Sequence, residues 1–267
     1  MARTAAPPRE QFATVWAGQV TFQVLSAGRG PALVYFHSVH ERGGWSPFLA
    51  ALARRYTVYA PVHPGVAGST GVESLDDLHD LVLAYDELLS ALGLKRAVYL
   101  VGHFFGGMIA AELAAVFPAR TRKLVLASPL GLWRDDAPSA DVLILPHEEL
   151  VAALWEDPES EAARAWATLP GTEQANIEAQ IESIARRAAM GKFVWPIPDR
   201  GITKRLHRIA APTLVLWGEE DRANPVVYAE EWQRRIKGAE LQLQPGGHML
   251  IHESPDAAAA AVRRFLE

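Results

Sequence analysis

Seven short apolar runs, at 20–25, 32–36, 57–60, 97–101, 123–127, 213–217 and 241–243, set the strongest limit on the fold. The central ones are continuously apolar rather than alternating, as in strands buried on both faces of a parallel sheet. Gly28-Arg29-Gly30-Pro31 closes the first run and Pro61 the third. Longer helical patterns fill the intervals at 47–54, 74–92, 105–117, 225–236 and 254–265. Ser74, with Asp76 and Asp77 behind it, reads as the start of the second of these, and Gly93 as its stop. Strands alternating with helices in this way build a doubly wound, mostly parallel α/β sheet.

One stretch breaks the alternation. Between 134 and 207 only helical patterns occur, at 148–155, 159–167 and 174–190. The sequence Phe193-Val194-Trp195-Pro196-Ile197-Pro198 then reads as a rigid apolar hinge back to the sheet. The expected organisation is a core formed by 1–133 and 208–267 with a helical lid at 134–207. A chain of 267 residues suits one such domain, and it buries enough surface to need no metal or disulfide staple.

Charge and residue usage remove whole classes of function. With 26 basic against 31 acidic residues the net charge is −5, so there is no surplus to neutralise phosphates and nucleic acid is not an expected partner. The absence of cysteine excludes disulfides, Fe–S clusters, thiolate zinc sites and cysteine nucleophiles together. The first ten residues lack the apolar core of a signal peptide, and no run approaches the roughly 18 apolar residues of a membrane span. The expectation is a cytoplasmic protein with no cofactor and no membrane partner; a homodimer is compatible with it.

The chemistry concentrates at Val98-Tyr99-Leu100-Val101-Gly102-His103-Phe104-Phe105-Gly106-Gly107, where a strand runs into a tight turn and a helix follows at once. This resembles the nucleophile elbow of the α/β-hydrolase superfamily, Gly-x-Ser-x-Gly, whose glycines let strand and helix approach closely. Other landmarks stand in order along nearly the whole chain. Phe36-His37-Ser38-Val39-His40 matches the oxyanion loop, and Pro61-Val62-His63-Pro64-Gly65 the Pro-Gly loop. Trp217-Gly218-Glu219-Glu220-Asp221 resembles the loop that delivers the triad acid, and Pro245-Gly246-Gly247-His248 the triad histidine loop. The lidded branch of esterases, C–C hydrolases and epoxide hydrolases is the most similar.

Three departures bear on function. Phe104 stands where the family has serine, and it has no lone pair with which to attack a carbonyl. Ser38 replaces a glycine beside the oxyanion hole, and Val62 replaces an acidic residue. The resemblance implies Asp221 and His248 as a catalytic pair, against the plainer roles of helix cap and loop histidine. It implies the backbone amides of Val39 and Phe105 as oxyanion donors, and His37, Ser38, His40, His103, Trp133 and Trp195 as pocket lining. His37, His63 and His103 then have structural hydrogen-bonding roles, and no metal is expected.

Two functions follow. In the first, His248 held by Asp221 acts as general base on a small apolar substrate, in direct water-attack hydrolysis or in lyase, isomerase or cyclase chemistry. The retained Asp–His pair favours it. In the second, the chain binds a small apolar ligand without catalysis. A third origin of Phe104 is replacement of a natural serine. The discriminating observation is the open volume beside His248: an enzyme needs room there, and a ring packed against His248 favours the binder.

Overall fold

The computed structural model describes residues 7–41, 43–168, 171–197 and 199–267. Its strands are β1 (Arg9–Val15), β2 (Val20–Ala27), β3 (Ala32–Phe36), β4 (Thr57–Pro61), β5 (Val98–His103), β6 (Thr121–Ala127), β7 (Thr213–Gly218) and β8 (Glu240–Gln244). They form one sheet in the order β1-β2-β4-β3-β5-β6-β7-β8. β1 and β4 flank β2 antiparallel, and every other pairing is parallel. The parallel strands therefore deliver their C-terminal ends to one rim, where loops carry function in such sheets.

Both faces are covered, which explains the continuous apolar runs. In β3, Leu33 and Tyr35 join one core while Val34 and Phe36 join the other. On the first side pack α1 (Pro47–Leu52), α8 (Leu250–Glu253) and α9 (Pro255–Leu266). On the second pack α2 (Leu78–Ala91), α3 (Phe105–Val116) and α7 (Val227–Arg235). Trp217 and Trp232, both fully buried, anchor the second core, and a buried side chain of this size stabilises by about 3 kcal/mol or more.

Between β6 and β7 lie α4 (His147–Leu154), α5 (Glu161–Ala167) and α6 (Glu173–Val194), and among the described residues no strand. Ser160 and Thr172 cap the last two, accepting from the amides of Ala163 at 3.2 Å and Ala175 at 3.3 Å. Among the described residues no helix is long and apolar enough to cross a membrane.

Three local expectations are corrected. β1 has no counterpart in the apolar pattern, because as an edge strand it buries only Val15. The second helix starts at Leu78, not Ser74: the Asp77 carboxylate accepts from His79 and Asp80, whereas 72–74 form a separate turn and Leu75 is extended and buried. Phe193 and Val194 are the buried last turn of α6 rather than the start of a hinge, and Pro198 lies outside the described residues.

Candidate active site at the strand–helix elbow

β5 passes into α3 through a single residue, Phe104, with φ 49° and ψ −109°. A side chain rarely adopts this backbone conformation, and it persists only where the surroundings impose it. Here the Phe104 amide donates to the Ala127 carbonyl at 3.0 Å, and the Phe104 carbonyl accepts from Met108 at 3.0 Å and Leu130 at 3.1 Å. Close approach also needs the neighbouring glycines. A Cβ on Gly106 would fall 2.1 Å from the Phe36 carbonyl oxygen, and one on Gly102 would fall 2.3 Å from that of Gly106.

The turn thrusts the Phe104 ring toward His248. Their ring centroids are 4.5 Å apart with planes at 88°, an edge-to-face contact. The His40 ring completes a triangle with them, 6.0 Å from Phe104 and 6.1 Å from His248. All three side chains are buried.

His248 follows Gly246-Gly247 after β8, and its Nδ1 donates to Asp221 Oδ2 at 2.9 Å with both side chains fully buried. A carboxylate only accepts, so Nδ1 carries the proton and Nε2 the lone pair. Among the described residues that Nε2 has no hydrogen-bond partner. Asp221 serves its own loop as well: Oδ1 accepts from the amides of Ala223 at 3.0 Å and Asn224 at 2.7 Å. The histidine contact is therefore present, whereas the helix-cap role is not: α7 starts at Val227 behind Val226 with no side-chain cap, and the amides that Asp221 accepts from belong to the loop before it.

The other expected residues divide. The amides of Val39 and Phe105, the expected oxyanion donors, donate to no protein acceptor among the described residues. His37 and His63 hold the loops together: the His63 amide donates to His37 Nε2 at 3.0 Å, His63 Nε2 donates to the His37 carbonyl at 2.8 Å, and His63 Nδ1 pairs with the Tyr85 hydroxyl. Burial pushes both imidazole pKa values down, that of His63 furthest, so both rings are neutral. Ser38 Oγ accepts from the His40 amide at 3.3 Å within its own loop. His37, Ser38 and His103 are therefore buried scaffold rather than pocket lining. Trp133 donates to Asp135 at 2.8 Å, and Trp195 is 47% exposed on the outer surface. Trp166 takes the place expected for them, donating to the His40 carbonyl at 3.0 Å.

Two cavities border this constellation. The one against Phe104 and Phe105, closed by Val39, Leu130, Met190 and Val194, holds about 10 Å³, no more than one water needs. The other, of about 770 Å³, opens between the core and α4–α6 and reaches Val39, His40, Trp166 and Arg186. Burial, and then the neighbouring charge of His248, push the His40 pKa well down, so its ring meets this cavity neutral. Arg186 Nε donates to the Val39 carbonyl at 3.0 Å. A further depression of about 580 Å³ lies at the opposite end of the strands, beside Gly28 and Thr57.

One residue that no motif announced organises the rim. Glu41 accepts from the Ser38 amide at 2.8 Å, from the Tyr35 hydroxyl at 2.8 Å and from His103 Nδ1 at 3.0 Å. His252 Nε2 lies 3.4 Å from its other oxygen, off hydrogen-bond geometry. Burial works to raise the Glu41 pKa, but the hydrogen bond from His103 and the closeness of the His252 and His103 imidazoles hold it well below the usual carboxylate range.

Comparisons with known proteins agree with this architecture. A protein of Mycobacterium tuberculosis of uncharacterised function is 29% identical over 99% of this chain and 83% of its own length. The 2-hydroxy-6-oxo-6-phenylhexa-2,4-dienoate hydrolase of Burkholderia cepacia is 30% identical over 90% of this chain and 89% of its own. Among solved structures, a putative lipase from Acinetobacter baumannii superposes with a TM-score of 0.80 at 21% identity, covering 97% of this chain and 91% of that one. A meta-cleavage product hydrolase from Pseudomonas fluorescens gives 0.76 at 19% identity, covering 97% of each. At that identity the likeness is one of fold. The profile described as the Alpha/beta hydrolase family matches residues 28–261, and the chain belongs to that family.

Proposed function

We propose that this chain binds a small, largely apolar molecule between the core and α4–α6, which act as its lid, and does so without acyl-enzyme chemistry. The observation that carries this reading is the Phe104 ring packed edge-on against His248, with about 10 Å³ left beside it. No substrate atom fits within hydrogen-bond reach of His248 Nε2 while that ring stays in place. The 770 Å³ cavity is large enough for a small ligand, and Leu150, Trp166 and Ile184 give it an apolar wall. The Burkholderia cepacia relative is named for a phenyl-substituted dienoate, which suggests an arene as part of the ligand.

The test uses 4-phenylbutanoate and acetophenone as probes, followed by tryptophan fluorescence. Saturable quenching that is lost in Trp166→Leu is expected, with no probe consumed. Absence of saturable binding by either probe, in a folded chain, overturns the reading.

A second reading keeps the Asp221–His248 pair as a general base for a cofactor-independent reaction. The unpartnered Nε2 lone pair of His248 favours it. It requires the Phe104 ring to swing aside. Turnover of a hydrolase substrate by the parent, abolished in His248→Ala, would establish it over the first.

A further inference from the structure

α6 is apolar on two sides. One side packs on the core through Met190, Phe193 and Val194. A surface helix ordinarily keeps its opposite side polar. Here that side carries Ile177, Ile181 and Ile184, then Ala188 and Gly191, with Trp195 just past the helix end. Of the eight large apolar side chains exposed among the described residues, five belong to this face: Ile144, Ile177, Ile181, Ile184 and Trp195, each 47–68% exposed.

The order along the face is specific. Its six α6 positions are spaced 4, 3, 4, 3 and 4 residues apart, the 3.5-residue repeat of a seam between two helices. Large residues fill the first half of the seam and small ones, Ala188 and Gly191, follow. Beside the small half, between Ile144 and Trp195, runs a groove of about 510 Å³.

We propose that this face pairs with the same face of a second copy, the two α6 helices running antiparallel about a two-fold axis at the level of residue 186. In that register Ile184 meets the partner's Ala188, Ile181 the partner's Gly191 and Ile177 the partner's Trp195. Isoleucines then fill the groove that the small residues leave, as a self-complementary interface requires. A parallel pair would stack isoleucine on isoleucine and leave glycine facing glycine.

The flanking charges select the same arrangement. Glu173, Gln180 and Arg187 border the seam on one side, and Glu178, Ala185 and Lys192 on the other. A parallel pair would set Glu173 against the partner's Glu178 and Arg187 against the partner's Lys192, like against like. The antiparallel pair sets Glu178 against the partner's Lys192, twice over by symmetry. Neither group has an ion-pair partner in its own chain among the described residues: Glu178 accepts from Gln174 at 2.7 Å, and Lys192 donates to the Val72 carbonyl at 3.0 Å. Arg187 meets its own copy on the other flank, with its guanidinium turned back to the Leu143 carbonyl at 3.2 Å. A phospholipid surface would leave Glu173 and Glu178 unanswered. The exposed apolar patch is on the order of 500 Å² per copy, large for a monomer, and two such patches approach the roughly 1,200 Å² at which specific interfaces begin. Ile144, Ile184 and Arg187 wall both this groove and the 770 Å³ cavity, so the partner stands along one side of the ligand site. The pairing itself does not depend on what that cavity holds.

The test is sedimentation velocity of the full untagged chain from about 1 μM to about 200 μM, where a reversible monomer–dimer equilibrium is expected. Ile181→Lys puts a charge into the seam at an exposed site. It should keep its circular dichroism and weaken the dimer at least about 100-fold. Glu178→Lys and Lys192→Glu each set like charges across the seam and should weaken it about 3- to 10-fold, while the double reversal restores it. A chain that stays monomeric at the highest concentration overturns the proposal, as does an unchanged dimer in folded Ile181→Lys. A folded double reversal no tighter than either single variant overturns the antiparallel arrangement. Flotation of a monomeric chain with phosphatidylcholine vesicles, lost in Ile181→Lys, would assign the face to lipid instead.

Discussion

Replacing Phe104 by serine puts a hydroxyl where His248 has an unpartnered nitrogen. Losing a buried phenyl ring costs about 3–5 kcal/mol in well-packed sites. Phe104 is fully enclosed, with only about 10 Å³ of free space beside it, so the upper part of that range applies before compensation. One term offsets it and one does not. The new hydroxyl donates to His248 Nε2, a hydrogen bond worth about 0.5–1.5 kcal/mol. The backbone strain at φ 49° stays, because serine also carries a Cβ. The net loss is therefore roughly 2.5–4.5 kcal/mol, or a fall in Tm of about 5–18 °C for a chain of this size. In return Asp221, His248 and the introduced hydroxyl form a complete relay, with the Val39 and Phe105 amides uncommitted. Phe104→Ser should hydrolyse p-nitrophenyl acetate well above the parent. A fluorophosphonate should add once, at residue 104 by peptide mapping, and not at all to the parent or to the double variant with His248→Ala. A folded Phe104→Ser chain with neither adduct nor turnover would show that Asp221 and His248 are not aligned as a triad remnant.

Four further outcomes are expected. Ser38→Gly added to Phe104→Ser should change ester turnover by less than about threefold, since Ser38 Oγ bonds within its own loop; a gain near the 10²-fold of a recovered oxyanion donor would contradict that. Gly106→Ala should yield little soluble protein, because its Cβ meets a backbone carbonyl at 2.1 Å that cannot move aside; native-like thermal denaturation would refute the close approach. Arg205→Ala should lower stability by about 2–4 kcal/mol in urea, because it strands the buried Glu112 carboxylate that Arg205 contacts at 2.5 and 2.7 Å; a change under 1 kcal/mol would place that charge in water. Burial depresses the pKa of both His40 and His63 in the fold. The unfolded chain then binds more protons below about pH 6.5, so their stabilisation is full above that pH and is lost as pH falls, at up to about 1.4 kcal/mol per unit for each. Urea midpoints flat from pH 7.5 to 5.5 would show that these rings are charged when folded.

What the sequence made legible follows from burial. Strands covered on both faces write continuous apolar runs, and β3 was read to the residue. β1 was missed because an edge strand needs only one buried side chain to be held by its backbone. The Asp221–His248 contact was legible because glycines and strand ends fix both loops. Glu41 was not, since its partners Tyr35, His103 and His252 are dispersed along the chain and no local pattern marks a carboxylate for burial. Of the tryptophans in or beside the inserted segment, Trp133 and Trp195 were preferred to Trp166 as lining because position along the sequence does not say which of them turns inward.

The division of the Asp221 carboxylate has a consequence for anyone replacing it. Asparagine offers a single acceptor oxygen where two are in use. If that oxygen keeps the amides of Ala223 and Asn224, the side-chain NH₂ is left facing the Nδ1–H of His248, donor against donor. The imidazole must then move its proton to Nε2, and the nitrogen that faces Phe104 changes from acceptor to donor. If the oxygen turns to the histidine instead, the 221–224 turn gives up both of its bonds. Asp221→Asn is thus a forced choice between ring tautomer and loop. The imidazole nitrogen shifts of His248, read by NMR, would report which of the two the chain preserves.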